Sequence, residues 1–559
     1  MTSGTGGRDG YDTLIVGAGS SGAVLATRLS EDPAHRVLLV EAGPLYPEIT
    51  DFPYELAHAR TLGAVFPGHP NNWSFVGALN DGRTYPMPRG RVVGGSSTVN
   101  GSVFVRAREA DFDDWSAAGN DKWSWDKVLP YYVRSETDLD FGGTDHHGDS
   151  GPMPVRRVAQ ENLHPVSATF VQACLEAGFP AEADKNSDTG DGVGPIPSNC
   201  IDGIRMNTAV TYLATARGRP NLTILPETFV RRVIFHGTRA VGVEVDRHGE
   251  REELHGDEII LSAGAIMTPT LLMRSGIGPA AMLREHGIDI VHDSPGVGTG
   301  VTDHPSVQVR YRIATPVPEV PVNSMPLQVS LNFVDEKFDT GGDLQVICAP
   351  ATLNRMLRGG TGTRAPSYLR RPVATLRALR RLPMRFLIDQ ARSGSDFQFM
   401  CALEQERSRG TITLASADPS APPRIDLNYL TDPEDLALLR TNVRTAVDLL
   451  RTAAFTGVGA RRVAPDDDAL TSDDTLDRWI AHHLGSSFHT SCSAHMGPDS
   501  DPMAVVDQEC RVRGVSGLRV VDISIMPKIT RRATHATAIM IGERAADLVR
   551  SRPAGGPTR

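Results

Sequence analysis

Leu14, Ile15 and Val16 form a short unbroken apolar run that reads as a buried parallel strand. The run feeds into Gly17-x-Gly19-x-x-Gly22, and residues 23 to 30 continue with the spacing of an amphipathic helix. A second apolar stretch, residues 36 to 40, predicts another strand and ends at Glu41, nineteen residues after Gly22. Farther on, residues 233 to 245 alternate apolar and polar positions around Gly237 and Gly242, as a hairpin would. Residues 257 to 262 predict a further buried strand, which runs through Ala263-Gly264-Ala265 into a helix with Pro269 in its first turn. Near the end, residues 518 to 522 form another short strand stopped by an acid, and residues 536 to 549 keep helical spacing.

The first of these pieces describe a dinucleotide site. Gly17 permits the tight turn, Gly19 lets the backbone approach a pyrophosphate, and Gly22 lets the helix pack on the strand. Ser20 and Ser21 occupy the same loop, where the helix N-terminus offers free N–H groups and the positive end of its dipole. Glu41 is placed to accept hydrogen bonds from a ribose diol and would repel a 2′-phosphate. A bare glycine-rich turn is the bland alternative, and strand, helix, strand and acid all in register disfavour it. The other strands lie far downstream. The expected fold is therefore α/β, with a Rossmann-like cofactor domain assembled from residues 8–158, 200–305 and 487–550. Residues 159–199 and 306–486 are expected to form a substrate domain with an antiparallel sheet and helices.

A chain of 559 residues exceeds one simple core, in keeping with two domains. Its 40% apolar and 22% charged content is that of a soluble globular protein, and its charge of −10 argues against general nucleic-acid binding. The first ten residues lack an apolar h-region and no apolar run is long enough to span a membrane. Six cysteines stand without ligand-like or framework spacing, so reduced thiols, a cytoplasmic location and no metal site are expected. Residues 551–559 read as a frayed tail.

Residues 354–395 stand apart, with ten arginines against one acid, Asp389, giving +9 where the rest of the chain is −19. Pro372 and Pro383 are expected to split the segment into short helices. Three readings stay open: a solvated insertion with snorkelling arginines, a peripheral membrane or acidic-protein contact, or a lid for an anionic substrate.

Several longer motifs carry a family resemblance. Arg89-Gly-Arg-Val-Val-Gly-Gly-Ser-Ser-Thr-Val-Asn-Gly101 resembles the first signature of the glucose-methanol-choline (GMC) flavoprotein oxidoreductases. Ser262-Ala-Gly-Ala-Ile-Met-Thr-Pro-Thr-Leu-Leu-Met-Arg-Ser-Gly-Ile-Gly278 is similar to their second. Arg409-Gly-Thr-Ile-Thr-Leu414 and Ala421-Pro-Pro-Arg-Ile-Asp-Leu-Asn-Tyr429 look like the opening of their C-terminal region. The resemblance runs from Tyr11 to about Val549 and specifies the family, not one substrate.

That resemblance implies FAD as cofactor and an alcohol as hydride donor, giving an aldehyde or ketone. It implies flavin contacts from Gly94, Ser96, Asn100 and Gly101, whose backbone can come close to a flat ring. It adds Trp73, Arg91, Ile523 and Thr537 to the cofactor set, with Val230 at the adenine and Asp522 near the phosphates. Asp522 also reads simply as a strand-end turn residue. Val99 stands where some members carry the histidine that bonds FAD covalently, so non-covalent FAD is expected. His489, followed by Met496-Gly497, matches the general base, and His535 its partner on the substrate oxygen. His495, His482 and His483 read as structural or exposed. Many members follow the base with Pro-x-Gly-Thr; here Thr490-Ser-Cys-Ser follows, with Cys492 as a packing residue or a redox-sensitive pocket wall. Ser487 favours a dehydrogenase over an oxidase, and the composition points to the mycofactocin-associated members. Oxygen, a quinone or a redox carrier would take the electrons. The competing functions are a non-redox lyase of the family, a flavin photoenzyme and a docking protein that merely holds FAD.

Overall fold

The computed structural model describes residues 10–80, 82–187, 190–338, 343–358 and 371–551. Strand β1 (Tyr11–Val16) leads into helix α1 (Ser20–Leu29) and strand β2 (Val37–Val40). The helix opens three residues earlier than apolar spacing indicates, because polar Ser20 and Ser21 form its first turn. Then come β3 (Leu222–Leu225), β4 (Thr228–His236), β5 (Arg239–Arg247) and β6 (Glu250–Leu261). Strands β3, β2, β1, β6 and Leu518–Val520 lie side by side, all parallel. Strands β4 and β5 form the expected hairpin, antiparallel to the first half of β6.

Strand β6 belongs to both arrangements, and its sequence shows why. Its polar first half, Glu250 to Asp257, is largely open to solvent, whereas Glu258 and the Ile259-Ile260-Leu261 run are buried between β1 and Leu518–Val520. A strand covered on both faces needs such an unbroken apolar run.

Helix α2 (Gly264–Arg274) follows β6, and here the expectation for Pro269 is corrected. Pro269 lies in the second turn, because the helix starts directly after the strand. Proline has no N–H to give the carbonyl four residues back. That carbonyl, on Ala265, instead accepts a hydrogen bond of 2.6 Å from the buried Ser493 hydroxyl.

A second sheet comes mainly from the middle of the chain. Strands β7 (Pro305–Arg312), β8 (Val329–Val334), β9 (Asp343–Ala349) and β10 (Phe397–Leu403) pair antiparallel in the order β7, β10, β9, β8. Helix α3 (Pro433–Leu449) covers it, and Asn442 ties the two by donating to the carbonyls of Ala402 (2.9 Å) and Gln345 (3.2 Å). Gly485–Ser486 pairs with the start of β7. This brings residues 487–490 and residue 304 to the same end of the sheet.

The arginine-rich segment is helical over Leu353–Arg358, Pro372–Leu379 and Met384–Ser393, with the prolines opening the second and third helices. Arg364 and Arg370 lie outside the described residues. All six cysteines are buried and unpaired. Among the described residues, no helix is long and apolar enough to cross a membrane.

Candidate active site

The three glycines of the first loop answer to different demands. A Cβ on Gly17, at φ +99°, would lie 2.5 Å from the Ser262 carbonyl oxygen, and one on Gly22 would collide with the Gly17 carbonyl. Gly19 would meet only Gly95 Cα, at an ordinary 3.8 Å. Packing therefore requires Gly17 and Gly22 but leaves the side of Gly19 open, as a cofactor backbone needs. The first N–H groups of α1 have no acceptor within the helix and point the same way.

Glu41 closes the loop from the end of β2. Its carboxylate is 7% exposed and accepts from Ala18 N (3.0 Å) and Gly43 N (2.8 Å), leaving a lone pair on each oxygen for a ribose hydroxyl. Burial pushes its pKa up to about 7 against the pull of those N–H groups and of Arg91. The Glu41 carbonyl accepts from Thr228 N at 2.9 Å, which anchors the start of β4. Val230 is buried two residues on, and Phe229 lies 6.2 Å from the Trp73 ring. Arg91 rests its guanidinium 5.1 Å above that ring. Glu41, Trp73, Arg91 and Val230 are thus gathered at one end of the parallel sheet.

The Gly94-Gly95-Ser96-Ser97 turn lies beside the first loop. Gly94 N donates to Ala18 O at 2.8 Å, and Gly94 and Gly95 take φ of +99° and +54°. Ser96 Oγ accepts from Gly90 N (3.2 Å), and Asn100 Oδ1 accepts from Ser102 N (3.0 Å). Fully buried Arg205 donates to the carbonyls of Thr98 (3.0 Å) and Asn100 (2.9 Å), holding the turn from behind. Gly101 follows, with Leu327 the nearest side chain to its Cβ position at 3.2 Å.

Four other expected cofactor residues already have protein partners. Ser21 Oγ donates to the Ala538 carbonyl at 2.7 Å, fastening α1 to the last helix, α4 (His535–Arg550). The Thr537 hydroxyl is bonded to Tyr132 Oη at 2.8 Å. The Asp522 carboxylate accepts from Gly264 N (2.9 Å), Thr268 Oγ1 (2.6 Å) and Ser524 N (2.8 Å), so it clamps the start of α2 to its own turn. Ile523 O accepts from Cys492 N at 3.2 Å.

Two histidines enter from opposite sides. His535 is the first residue of α4, and its Nδ1 lies 3.2 Å from Ser20 Oγ. Its Nε2 is buried with no hydrogen-bond partner among the described residues. An orphaned polar atom of this kind costs free energy unless a ligand meets it. His489 sits between Phe488 and Cys492, both non-glycine residues at positive φ, +65° and +64°. Burial lowers both imidazoles to about 4.

The support of His489 was not legible in the sequence. Asp303, fully buried, accepts from His489 N (2.7 Å) and His304 N (2.7 Å) on one oxygen. The other oxygen accepts from Ser486 Oγ (2.8 Å) and Thr490 Oγ1 (2.9 Å). His304 Nδ1 lies 2.8 Å from His489 Nδ1, and His304 Nε2 lies 3.0 Å from the Thr530 carbonyl. The only hint in the chain is Asp303-His304 standing before Pro305 at the head of a strand.

The remaining candidates have partners within the protein. Cys492 is 2% exposed, its Sγ accepts from Thr302 Oγ1 at 3.0 Å, and burial raises its thiol pKa. His495 Nε2 pairs with Asp501 at 3.0 Å, and His483 Nδ1 donates to the Trp479 carbonyl at 2.8 Å. Ser487 N donates to His304 O at 2.9 Å. Glu136, Asp138 and His147 bring ligand atoms within 4.8 Å of one another. Arg157 already donates to Asp138 at 2.9 Å, and Arg106 to Glu136 at 2.5 Å. Burial lowers the His147 pKa, but Asp138, Asp184 and Glu136 outweigh it and carry it to about 10.

The fold sets glycine-rich turns at one end of a parallel sheet beside an antiparallel one, an arrangement suited to a dinucleotide. The GMC oxidoreductase family profiles match residues 11–306 and 406–542. A GMC-type oxidoreductase of Rhodococcus erythropolis is 38% identical over 541 residues, 97% of this chain and 98% of the relative. The oxygen-dependent choline dehydrogenase of Photobacterium profundum is 34% identical, over 96% of this chain and 93% of its own. The crystal structure of pyridoxine 4-oxidase from Mesorbium loti superposes with a TM-score of 0.82 at 28% identity, covering 97% of this chain and all of that one. The chain belongs to the GMC oxidoreductase family and is an FAD-dependent enzyme.

Proposed function

We propose that the protein oxidises an alcohol to an aldehyde or ketone, with His489 as general base and His535 as donor to the substrate oxygen. The observation that carries this reading is the orphaned Nε2 of His535, on a ring joined through Ser20 to the phosphate-facing loop. Bound FAD supplies the hydride acceptor. The first loop and Glu41 would hold its ADP half and the Gly94–Gly101 turn its flavin, and Val99 offers no nucleophile for a covalent link. His489 removes the hydroxyl proton, and His535 steadies the oxygen as charge builds on it. Residues 8–158, 200–305 and 487–550 serve as the cofactor domain on this reading, and 159–199 with 306–486 as the substrate domain. The separate parallel and antiparallel sheets support that division.

The electrons leave to oxygen, a quinone or a redox carrier. An anionic bilayer or an acidic carrier would dock on the arginine-rich segment. In support, Val373 (63%), Leu376 (52%), Met384 (71%) and Ile388 (43%) stand exposed there. Exposed Arg377, Arg380, Arg381 and Arg392 lie among them, with no ion pair among the described residues.

The test is anaerobic mixing in the dark with choline, pyridoxine, benzyl alcohol and a series of primary alcohols. Bleaching of the oxidised flavin band by one of them is expected. A flavin that no alcohol reduces, with cyanohydrin cleavage or light-dependent turnover in its place, would transfer the protein to the lyase or photoenzyme reading.

A further inference from the structure

The Thr530 carbonyl can only accept, so His304 Nε2 carries a proton and donates it at 3.0 Å. Burial holds the His304 ring neutral, which leaves its Nδ1 a bare lone pair. That lone pair lies 2.8 Å from His489 Nδ1. Two lone pairs at this distance would repel, so the hydrogen between the rings belongs to His489. The rings meet edge to face, 84° apart with centroids at 4.9 Å, which suits an in-plane N–H aimed at an in-plane lone pair.

We infer that His304 is a positioning residue for alcohol oxidation. By accepting the His489 Nδ1 proton it fixes the tautomer in which His489 Nε2 is the free base. The chain of bonds runs from the substrate hydroxyl to His489 Nε2, then from His489 Nδ1–H to His304 Nδ1, and from His304 Nε2–H to the Thr530 carbonyl. A neutral imidazole here does the orienting work that a carboxylate does in many hydrolase triads. The alcohol proton moves to His489 Nε2, and the hydride released from the carbon is what bound FAD would take up. His489 becomes an imidazolium whose Nδ1–H stays bonded to His304, so no further bond is made or broken. Other charges face the pair. Glu404 Oε2 lies 3.2 Å from His304 Nδ1, and burial raises that carboxyl to about 8 against the pull of Arg532. Asp303 and Arg89 act on the His489 ring with opposite sign.

This inference rests on His489 being the base, and the experiment separates the two. Holoenzyme with 15N-labelled imidazoles is compared as wild type, His304→Asn, His304→Leu and His489→Gln, the last to assign the His489 signals. Asparagine keeps an acceptor close to the Nδ1 position, whereas leucine removes it. In wild type and His304→Asn, His489 should be protonated on Nδ1; in His304→Leu the Nε2–H tautomer should appear. The limiting rate of flavin reduction by the fastest alcohol of the panel should fall roughly 10²-fold in His304→Leu, the low end of a general base's contribution. The KM should hold, and His304→Asn should restore most of the rate. A wild-type His489 protonated on Nε2 would overturn the inference, even if the leucine variant failed to fold. Equal rates in leucine variant and wild type would overturn it too. Unimpaired flavin reduction in His489→Gln would instead sink the assignment of the base, while the nitrogen spectrum still decided the hydrogen bond.

Discussion

Ser20 Oγ and His535 Nδ1 meet at 3.2 Å although 515 residues separate them. Each opens a helix, and Ser21 fixes the crossing of the two by donating to the Ala538 carbonyl. The glycine-rich loop and the ring proposed for the substrate oxygen therefore form one mechanical unit. A shift in either helix start moves both.

Replacing His489 with alanine should slow flavin reduction by roughly 10²- to 10⁴-fold, the span of a lost general base, with the flavin spectrum nearly unchanged. His535→Asn should be milder, because an amide N–H can still donate to the substrate oxygen. Stopped-flow reduction under anaerobic conditions measures both. A larger loss in His535→Asn would exchange their roles.

The acid limb of the reaction should lie low. A base works while it is unprotonated, and burial lowers His489 from 6.5 to about 4, with Asp303 opposing that fall and Arg89 adding to it. Its fraction in the active form is thus complete at pH 7 and is lost only as pH drops through about 4. The limiting rate of flavin reduction should stay flat down to about pH 5. A limb near 6.5 would show that the ring is solvated during turnover.

Ser493→Ala should destabilise the fold without touching the chemistry. The Ala265 carbonyl, deprived of its helix partner by Pro269, would lose its hydroxyl donor as well. An unsatisfied buried carbonyl costs about 1–3 kcal/mol, readable as a lower denaturant midpoint. Adding Pro269→Ala in the same chain should recover part of the loss, since an N–H returns.

Changing Arg377, Arg380 and Arg381 together to glutamine should abolish co-sedimentation with anionic vesicles, as should salt high enough to bring the Debye length to about 3 Å. Flavin reduction by a neutral alcohol should not change in either case. Binding that ignores both salt and substitution would return the segment to a solvated insertion.

Much of the cofactor half was legible because its information is local. The strand, Gly17, Gly19, Gly22, the helix and Glu41 fall within thirty-odd residues, and each obeys a short-range rule of period or turn. The same holds for the hairpin of β4 and β5. What surrounds His489 was not legible, because its partners are distant in sequence: His304 lies 185 residues away, Asp303 186, and each contact depends on two sheets meeting end to end. Pro269 was misplaced because its helix starts directly after β6. Nothing near it in sequence tells that Ser493 will satisfy the carbonyl it strands.

Strand β6 pairs with Leu518–Val520 in register from Ile259 to Leu261. During synthesis its solvent-facing half can join the hairpin at once, but its buried half must wait for more than 250 further residues before that edge is covered. The histidine helix emerges later still. A ribosome-bound chain therefore carries an open apolar edge through about half of its translation, and such an edge invites pairing with other chains.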